Sequence, residues 1–326
     1  MIKKQQPVSF YVDGILSGNI SVLSRAITLI ESTRQDHQHL ALQIIDAILP
    51  YTGQSIRIGI TGVPGVGKST FIESFGMHIL ELGKKVAVLA IDPSSSLSRG
   101  SILGDKTRME KLAVAPGAFI RPTASGGSLG GLAYKTREVT LLCEAAGFDH
   151  IIIETVGVGQ SETEVSHITD FFLLLMLTGA GDELQGIKRG IMEMADSMVI
   201  TKADGANLEK AKLARSEYAR ALHFIPAQAS GWRPEVLLAS SYENYGIAEV
   251  YQTIQKYIFQ SQAKGFFEEK RKEQNLYAFN HLLQEKMKEY FLERLQMKAQ
   301  IDQLRKAIIE GELSPYSAIH NIHWEE

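Results

Sequence analysis

The chain has 326 residues, of which 44% are hydrophobic, and this size suits one large α/β domain with appendages. A net charge of −3 gives no general attraction to nucleic acid or to an anionic membrane, so neither is an expected partner. The single cysteine, Cys143, excludes an intramolecular disulfide and a cysteine-based metal site. The first residues lack the apolar run of a secretory signal, and no stretch is long enough to span a bilayer, so we expect a cytoplasmic protein.

Residues 1–50 are predicted to form a helical N-terminal extension. Apolar residues recur at helical spacing after Asn19, and a second apolar face between Leu40 and Leu49 stops at Pro50. We interpret this extension as a cap that packs on the next domain.

Residues 51–262 alternate between strand and helix patterns, and most strand patterns are continuous apolar runs. Such runs are typical of strands covered on both faces, so we predict an α/β fold with a mostly parallel sheet and helices on both faces. Right-handed crossovers would bring the strand ends, and the ligand, to one edge. The predicted strands are Ile56–Thr61, Val86–Asp92, Phe119–Arg121, Ile151–Thr155, Phe171–Thr178, Ser197–Thr201 and Val236–Ser240, with helices at 69–83, 132–146, 206–223 and 246–262.

A phosphate-binding loop follows the first strand, where GVPGVGKST fits the pattern GxxxxGK[ST]. Its glycines allow a tight turn whose N–H groups converge on phosphate, and the next helix points its positive end at the same place. Lys68 is expected to reach the β and γ oxygens and to act in catalysis, while the Ser69 hydroxyl takes a position on Mg²⁺. The predicted phosphate-binding residues are Gly62, Val63, Pro64, Gly65, Val66, Gly67, Lys68, Ser69 and Thr70.

Three acids are candidates for the magnesium site beside Ser69. Asp92 ends the second strand, and Glu154 follows an apolar strand at the position where a carboxylate can hold the metal's water shell. Asp105 lies in a polar loop and has the equal alternative of capping a helix. Which acid contacts the metal directly stays open, and Glu154 is the second predicted catalytic residue. The nearby Gly157 can bring a backbone N–H near the γ-phosphate, so Glu154 to Gly157 is interpreted as a switch.

The tetrapeptide Thr201-Lys202-Ala203-Asp204 resembles the guanine-reading motif N-K-x-D. The Asp204 carboxylate can accept from the ring N–H and the exocyclic amine of guanine, a pair that adenine lacks. The Lys202 stem can lie over the base, and the Thr201 hydroxyl can make part of the contact of the usual Asn. After the last strand, Ser240 and Ser241 are predicted to offer backbone N–H groups to the guanine carbonyl.

A glycine-rich charged loop, residues 178–190, leaves the buried fifth strand at the ligand edge. A plain connection is possible, but its length and charge favour a mobile switch that carries Asp182, Gln185 and Lys188.

Residues 263–326 are highly charged but keep an apolar stripe at helical spacing. The stripe either folds back on its own domain or packs on a second subunit, and the sequence pattern alone favours neither. The stripe consists of Leu276, Phe279, Leu283, Met287, Tyr290 and Phe291.

Taken together, these motifs closely resemble the methylmalonyl-CoA mutase-associated GTPases, the MeaB/ArgK family of P-loop GTPase chaperones. The resemblance rests on GVPGVGKST, AIDPSSSLSRGSILGDKTRM, RPTASGGSLGG, IIIETVGVGQSE, TGAGDELQGIKRG and TKADG, between about residues 50 and 260. It implies a P-loop NTPase fold, hydrolysis of GTP to GDP and phosphate with Mg²⁺, and a homodimer made by the C-terminal arm.

The resemblance also implies a role. Such a chaperone binds an adenosylcobalamin-dependent acyl-CoA mutase, with methylmalonyl-CoA mutase as the expected client, gates cofactor loading and protects the mutase. Loop 178–190 would relay the nucleotide state to this partner. No D-x-H-x-x-G motif occurs, so no cobalamin ligand is expected in this chain.

Two alternative functions are weighed against this one. An ATP-dependent kinase of a transport component needs ATP preference, against which Asp204 argues. A metallochaperone GTPase needs a Cys/His cluster, whereas the chain has one cysteine and nine scattered histidines.

Overall fold

The computed structural model describes residues 5–92, 109–124, 129–155, 161–179, 189–224, 230–293 and 295–322. They divide into two compact units, with the boundary after Arg271. The strands are β1 (Ile56–Gly62), β2 (Val86–Asp92), β3 (Ala118–Ala124), β4 (His150–Glu154), β5 (Phe171–Met176), β6 (Ser197–Ile200) and β7 (Glu235–Leu238). The helices are α1 (Val8–Leu16), α2 (Ile20–Glu31), α3 (Gln35–Ile48), α4 (Lys68–Glu81), α5 (Glu110–Val114), α6 (Leu129–Ala145), α7 (Ser161–Ser166), α8 (Arg189–Met194), α9 (Leu208–His223), α10 (Ile247–Ala263), α11 (Phe266–Glu293), α12 (Leu295–Ile309) and α13 (Pro315–His320).

The strands form one seven-stranded sheet in the order β3-β2-β4-β1-β5-β6-β7, and every ladder is parallel. All seven predicted strands are present, so the predicted α/β fold is confirmed. β1 lies between β4 and β5. Strands β2, β3 and β4 all lie on one side of β1, and β5, β6 and β7 all lie on the other. A ligand site is expected at the carboxyl end of a strand in this position.

Both faces of the sheet are covered, which explains why the strands are apolar throughout. Successive side chains of a strand point to opposite faces. Ile151 and Ile153 therefore join one core with helices α1–α3 and α6, while Ile152 joins the other core with α4 and α10. The helices of residues 1–50 thus share a core with the sheet and belong to the first unit.

The N-terminal helices are held by local signals and by close packing. The Asn19 side chain accepts hydrogen bonds from the N–H groups of Ser21 and Val22 and so caps α2. Gly14 in α1 lies directly against Val22, where an added Cβ would come within 2.6 Å of a methyl group. This glycine therefore allows α1 and α2 to approach closely.

A buried ionic network fixes the start of α11 to the residues that precede β1 and β5. The Arg271 guanidinium donates to both carboxylate oxygens of Asp170, at 2.9 and 2.7 Å, and to the carbonyls of Gly53 and Ser55, each at 2.6 Å. Asp170 in turn accepts from the Arg57 N–H at 2.8 Å. Because a buried charge without a partner is costly, these groups stabilise one another and hold the start of the helix in place.

Burial shifts the pKa values of His150 and Glu138 in opposite directions. The pKa of His150, whose ring nitrogens have no hydrogen-bond partner, falls to about 4, chiefly because burial disfavours its charged form. Burial raises the pKa of Glu138 to about 7 for the same reason. The two shifts have opposite effects on the pH dependence of stability.

The second unit, residues 272–326, contains most of α11 together with α12 and α13. Leu276 and Phe279 on α11 are each 62% exposed. Leu283, Met287 and Tyr290 of the predicted stripe are also exposed, whereas the Phe291 side chain lies outside the described residues. In the described part of the chain, no helix has both the length and the apolar character needed to cross a bilayer.

Candidate functional site

The phosphate loop connects β1 to α4 as predicted. Gly65 and Gly67 have φ values of +77° and +88°, which favour glycine, and the Val66 N–H donates to the Val63 carbonyl at 3.2 Å. At Gly62 an added Cβ would lie 2.5 Å from the Leu175 carbonyl oxygen, so β1 can approach β5 here only with glycine. The loop leads directly into the N-terminus of α4, the part of a helix that attracts phosphate.

Lys68 and Ser69 lie on the first turn of α4 and face the ends of β1 and β4. The Lys68 ammonium donates to the Gly62 carbonyl at 2.9 Å, so it curls back over the loop. The Ser69 hydroxyl donates to the Glu154 carboxylate at 3.3 Å. The structure therefore brings together Lys68, Ser69 and Glu154, which the sequence predicted for one site.

The residues present fit Mg²⁺ in their chemistry. A hydroxyl and a carboxylate are hard oxygen donors, which this ion prefers. Asp92 ends β2, which pairs with β4, and the register places Ala90 beside Glu154. The Asp92 backbone therefore lies two residues beyond the level of Glu154, at the same carboxyl end of the sheet. Among the side chains that the structure describes, no group of three or more His, Cys, Asp and Glu lies together in a way that can hold a metal ion.

A buried hydrogen bond links the end of β1, where the phosphate loop begins, to the residue that follows β4. The Thr155 hydroxyl donates to the Thr61 hydroxyl at 2.7 Å, and the Thr155 N–H donates to the Ile60 carbonyl at 3.1 Å. The end of β1 and the residue that follows β4 are therefore held together.

The segment Thr201–Asp204 follows β6 and is fastened to the phosphate loop. The Thr201 hydroxyl donates to the Val66 carbonyl at 2.7 Å, and the Lys202 ammonium donates to the Gly65 carbonyl at 2.9 Å. Lys202 itself has a φ of +55°, which is uncommon for a residue with a side chain. The structure thus joins the predicted phosphate and guanine subsites directly.

Asp204 is oriented by Ser240, and this contact differs from the predicted one. Ser240 was expected to offer its backbone N–H to guanine, but that N–H donates to the Tyr245 carbonyl at 2.9 Å. The Ser240 hydroxyl instead donates to Asp204 Oδ2 and accepts from the Glu243 N–H at 3.1 Å. The reason is that the chain doubles back at Ser240, forming a bridge with Tyr245. Ser241, the other predicted residue of this loop, is partly buried, and its carbonyl accepts from the Ser74 hydroxyl at 3.3 Å.

Asn207 is a residue of this site that sequence reasoning missed. Its side-chain amide donates to the Lys202 carbonyl at 2.6 Å, and its side-chain oxygen accepts from the Thr178 hydroxyl at 2.9 Å. It therefore holds the unusual backbone of Lys202 and connects it to the segment that follows β5. An Asn three residues after Asp204, at the start of a helix, was the only available signal.

Several predicted site residues belong to segments without a described placement. Asp105, Gly157, Asp182, Gln185 and Lys188 lie outside the described residues, and the same is true of the Asp92 side chain.

Comparison with known proteins identifies close relatives over nearly the whole chain. A family model described as methylmalonyl Co-A mutase-associated GTPase MeaB matches residues 23–296. The GTPase ArgK of Escherichia coli is 45% identical over 305 residues, covering 94% of this chain and 92% of that protein. A mouse protein named methylmalonic aciduria type A homolog, mitochondrial, is 41% identical and covers 96% of this chain and 78% of its own length.

A solved structure agrees with the fold. The crystal structure of a protein named LAO/AO transport system kinase matches with a TM-score of 0.77 and 38% identity, over 96% of this chain and 95% of that one. The likeness therefore includes the helical extensions as well as the sheet.

Proposed function

Because this chain is a P-loop GTPase that belongs to the methylmalonyl-CoA mutase-associated GTPase (MeaB) family, we propose that it serves as a chaperone for an adenosylcobalamin-dependent acyl-CoA mutase. Methylmalonyl-CoA mutase is the proposed client. Hydrolysis of GTP to GDP and phosphate would gate cofactor loading and protect the mutase from inactivation. The observation that carries the proposal is the family match over residues 23–296, since this range contains the phosphate loop and the guanine segment.

At the phosphate end of the site, this chain's own groups supply charge and position. When a nucleotide binds, Lys68 can exchange the Gly62 carbonyl for phosphate oxygens, and the N–H groups of Gly65 to Ser69 can face the transferring phosphoryl group. Ser69, with Glu154 or Asp92, would hold Mg²⁺, which neutralises phosphate charge when it is bound.

At the base end, Asp204 is the proposed reader of guanine. Its carboxylate is turned by the Ser240 hydroxyl, and an ionised carboxylate can only accept hydrogen bonds. Guanine offers two adjacent donors, whereas adenine leaves such a carboxylate unpaired.

We propose that the exposed stripe on α11 is covered by a second copy of this chain, so that residues 263–326 form a dimerisation arm. The support is the set of large apolar side chains that stay exposed, since monomeric proteins seldom expose contiguous apolar surface of this kind. Sedimentation equilibrium on the full chain tests this: Leu276→Ser with Phe279→Ser should shift a dimer to monomer. Leu213→Ser, which changes an equally exposed leucine on α9, should not.

A hydrolysis assay with the client tests the proposed function. GTP turnover is measured with and without methylmalonyl-CoA mutase, and the mutase should accelerate it. Lys68→Ala should reduce turnover at least about 100-fold, since a donor to the transferring phosphoryl group is lost. Lys212→Ala, which removes a surface lysine paired with Glu209, is the matched control and should leave turnover unchanged. Unaltered turnover in Lys68→Ala would overturn the assignment, and indifference to the mutase would argue against the chaperone role.

The name of the solved relative suggests a second candidate function, that of a kinase that acts on a transport component. It requires ATP binding and a protein acceptor. Incubation with γ-labelled ATP and a periplasmic binding protein would give a labelled acceptor if the kinase function were correct, and we expect no transfer.

A further inference from the structure

Thr201 lies where a base-reading residue was predicted, but its donors are already used. The residue is 5% exposed, and its hydroxyl donates to the Val66 carbonyl at 2.7 Å, with the Met176 carbonyl a second acceptor at 3.3 Å. Its backbone N–H donates to the Met176 carbonyl at 2.9 Å. A threonine has one hydroxyl proton and one N–H, so both are committed to carbonyl groups.

Because both donors of Thr201 are used, the hydrogen-bonding groups of guanine decide whether this residue can contact the base. Apart from the N–H groups that Asp204 would accept, the accessible edge of guanine carries acceptors, N7 and O6. Thr201 has no uncommitted proton to offer either of them.

The Val66 carbonyl, by contrast, needs this partner. Val66 is 1% exposed and lies between two glycines with positive φ, where the backbone has few restraints of its own. Thr201 and Lys202 bind the consecutive carbonyls of Val66 and Gly65, and so fix two successive peptide groups of the loop. The first of these carbonyls shares its peptide group with the Gly67 N–H, which would face phosphate.

We propose that Thr201 is a positioning residue of the phosphate loop and contributes nothing to recognition at N7 of guanine. The inference rests on the proposed guanine-nucleotide site and assigns different roles to two of its residues. Asp204 selects the base, while Thr201 ties the base-reading segment to the loop that binds the phosphates.

Calorimetry with two nucleotides tests the proposal. GDP and 7-deaza-GDP, in which carbon replaces N7, are titrated with Mg²⁺ into the wild type and into Thr201→Val. The variant should bind both about 3- to 10-fold more weakly, the usual effect of one lost hydrogen bond. The ratio of the two dissociation constants should be the same in both proteins. Thr201→Ser, which keeps the hydroxyl, should stay within about twofold of the wild type.

Three further comparisons make the outcome decisive. Thr140→Val removes a buried threonine hydroxyl that donates to the Thr136 carbonyl at 2.8 Å within α6, and it should leave GDP affinity unchanged. Thr201→Ala replaces the valine variant if that one does not fold. Wild-type protein titrated with ADP shows whether a guanine site exists at all.

A penalty for 7-deaza-GDP that disappears in Thr201→Val would overturn the proposal, because Thr201 would then read N7. Unchanged affinity for both nucleotides in Thr201→Val would overturn it as well, since the hydroxyl would not position the loop. Equal binding of ADP and GDP by the wild type would instead refute the proposed guanine site, so the two failures are distinguishable.

Discussion

Replacing Asp204 with asparagine should change which base the site accepts. The Ser240 hydroxyl donates to Oδ2, so in Asp204→Asn the new amide oxygen would take that place and the amide nitrogen would face the base. A donor would then meet the exocyclic amine of guanine, which is also a donor. The change removes one hydrogen bond to a charged group, which is worth about 1.5–3 kcal/mol.

Because Asp204 is only partly buried, the lower end of that range applies to the bond with the exocyclic amine, which is lost, whereas the amide oxygen can still accept from the ring N–H. The expected loss is at least about 1.5 kcal/mol, or roughly 10-fold in the dissociation constant of GDP. Xanthine carries a carbonyl in place of the amine, so XDP should bind the variant better than GDP does.

Calorimetry of GDP, XDP and ADP with the wild type and Asp204→Asn measures both effects. Asp36→Asn, which alters an exposed aspartate paired with Arg34 at 2.6 Å, is the matched control. GDP affinity of Asp204→Asn within about threefold of the wild type would refute this role of the carboxylate, because one lost hydrogen bond to a charged group already costs roughly 10-fold. Equal weakening of GDP and XDP would refute it as well.

Three further variants each test the role of one residue. Ser240→Ala should weaken GDP binding about 3- to 10-fold and leave ADP binding unchanged, because the reading carboxylate loses its orienting donor; equal effects on both nucleotides would contradict this. Asn207→Ala should weaken GDP binding about fivefold in the same assay, since the Lys202 carbonyl loses its partner at 2.6 Å, and unchanged affinity would remove Asn207 from the site. Burial lowers the pKa of His150 to about 4, so as the pH falls this histidine is protonated in the unfolded chain before it is protonated in the folded protein. The stability that the folded protein gains from its neutral histidine is therefore complete above about pH 6.5 and is lost as the pH falls towards 4. Urea unfolding should therefore show His150→Phe gaining about 2 kcal/mol over the wild type between pH 7 and pH 5, while a constant difference would show that this histidine does not titrate on unfolding.

The sequence was most informative where one local pattern determines one element. All seven strands were predicted, because long apolar runs between turn residues leave few alternatives. β3 was predicted too short, as Phe119–Arg121, because Pro122 and Thr123 interrupt the apolar pattern; the strand runs to Ala124 at the edge of the sheet, where proline is tolerated.

The contacts that join the site could not be predicted, because they connect residues far apart in the chain. Thr201 was expected to face the base, yet its hydroxyl binds Val66, 135 residues earlier. The choice between the Ser240 N–H and its hydroxyl likewise depends on the bridge to Tyr245, which no spacing reveals. A motif thus predicted the residues of the candidate site, whereas their hydrogen-bond partners depended on the packing of β6 and β7 beside the phosphate loop.

Cofactor loading, followed spectroscopically, provides the most direct test of the proposed chaperone function. Adenosylcobalamin transfer to apo methylmalonyl-CoA mutase is monitored by its absorbance in the presence of this protein with GTP, GDP or a non-hydrolysable GTP analogue. We expect loading to depend on the nucleotide and to stop with the analogue, and Lys68→Ala should abolish the difference between GTP and GDP. Loading at one rate with every nucleotide, and with no protein added, would contradict a chaperone function controlled by GTP hydrolysis.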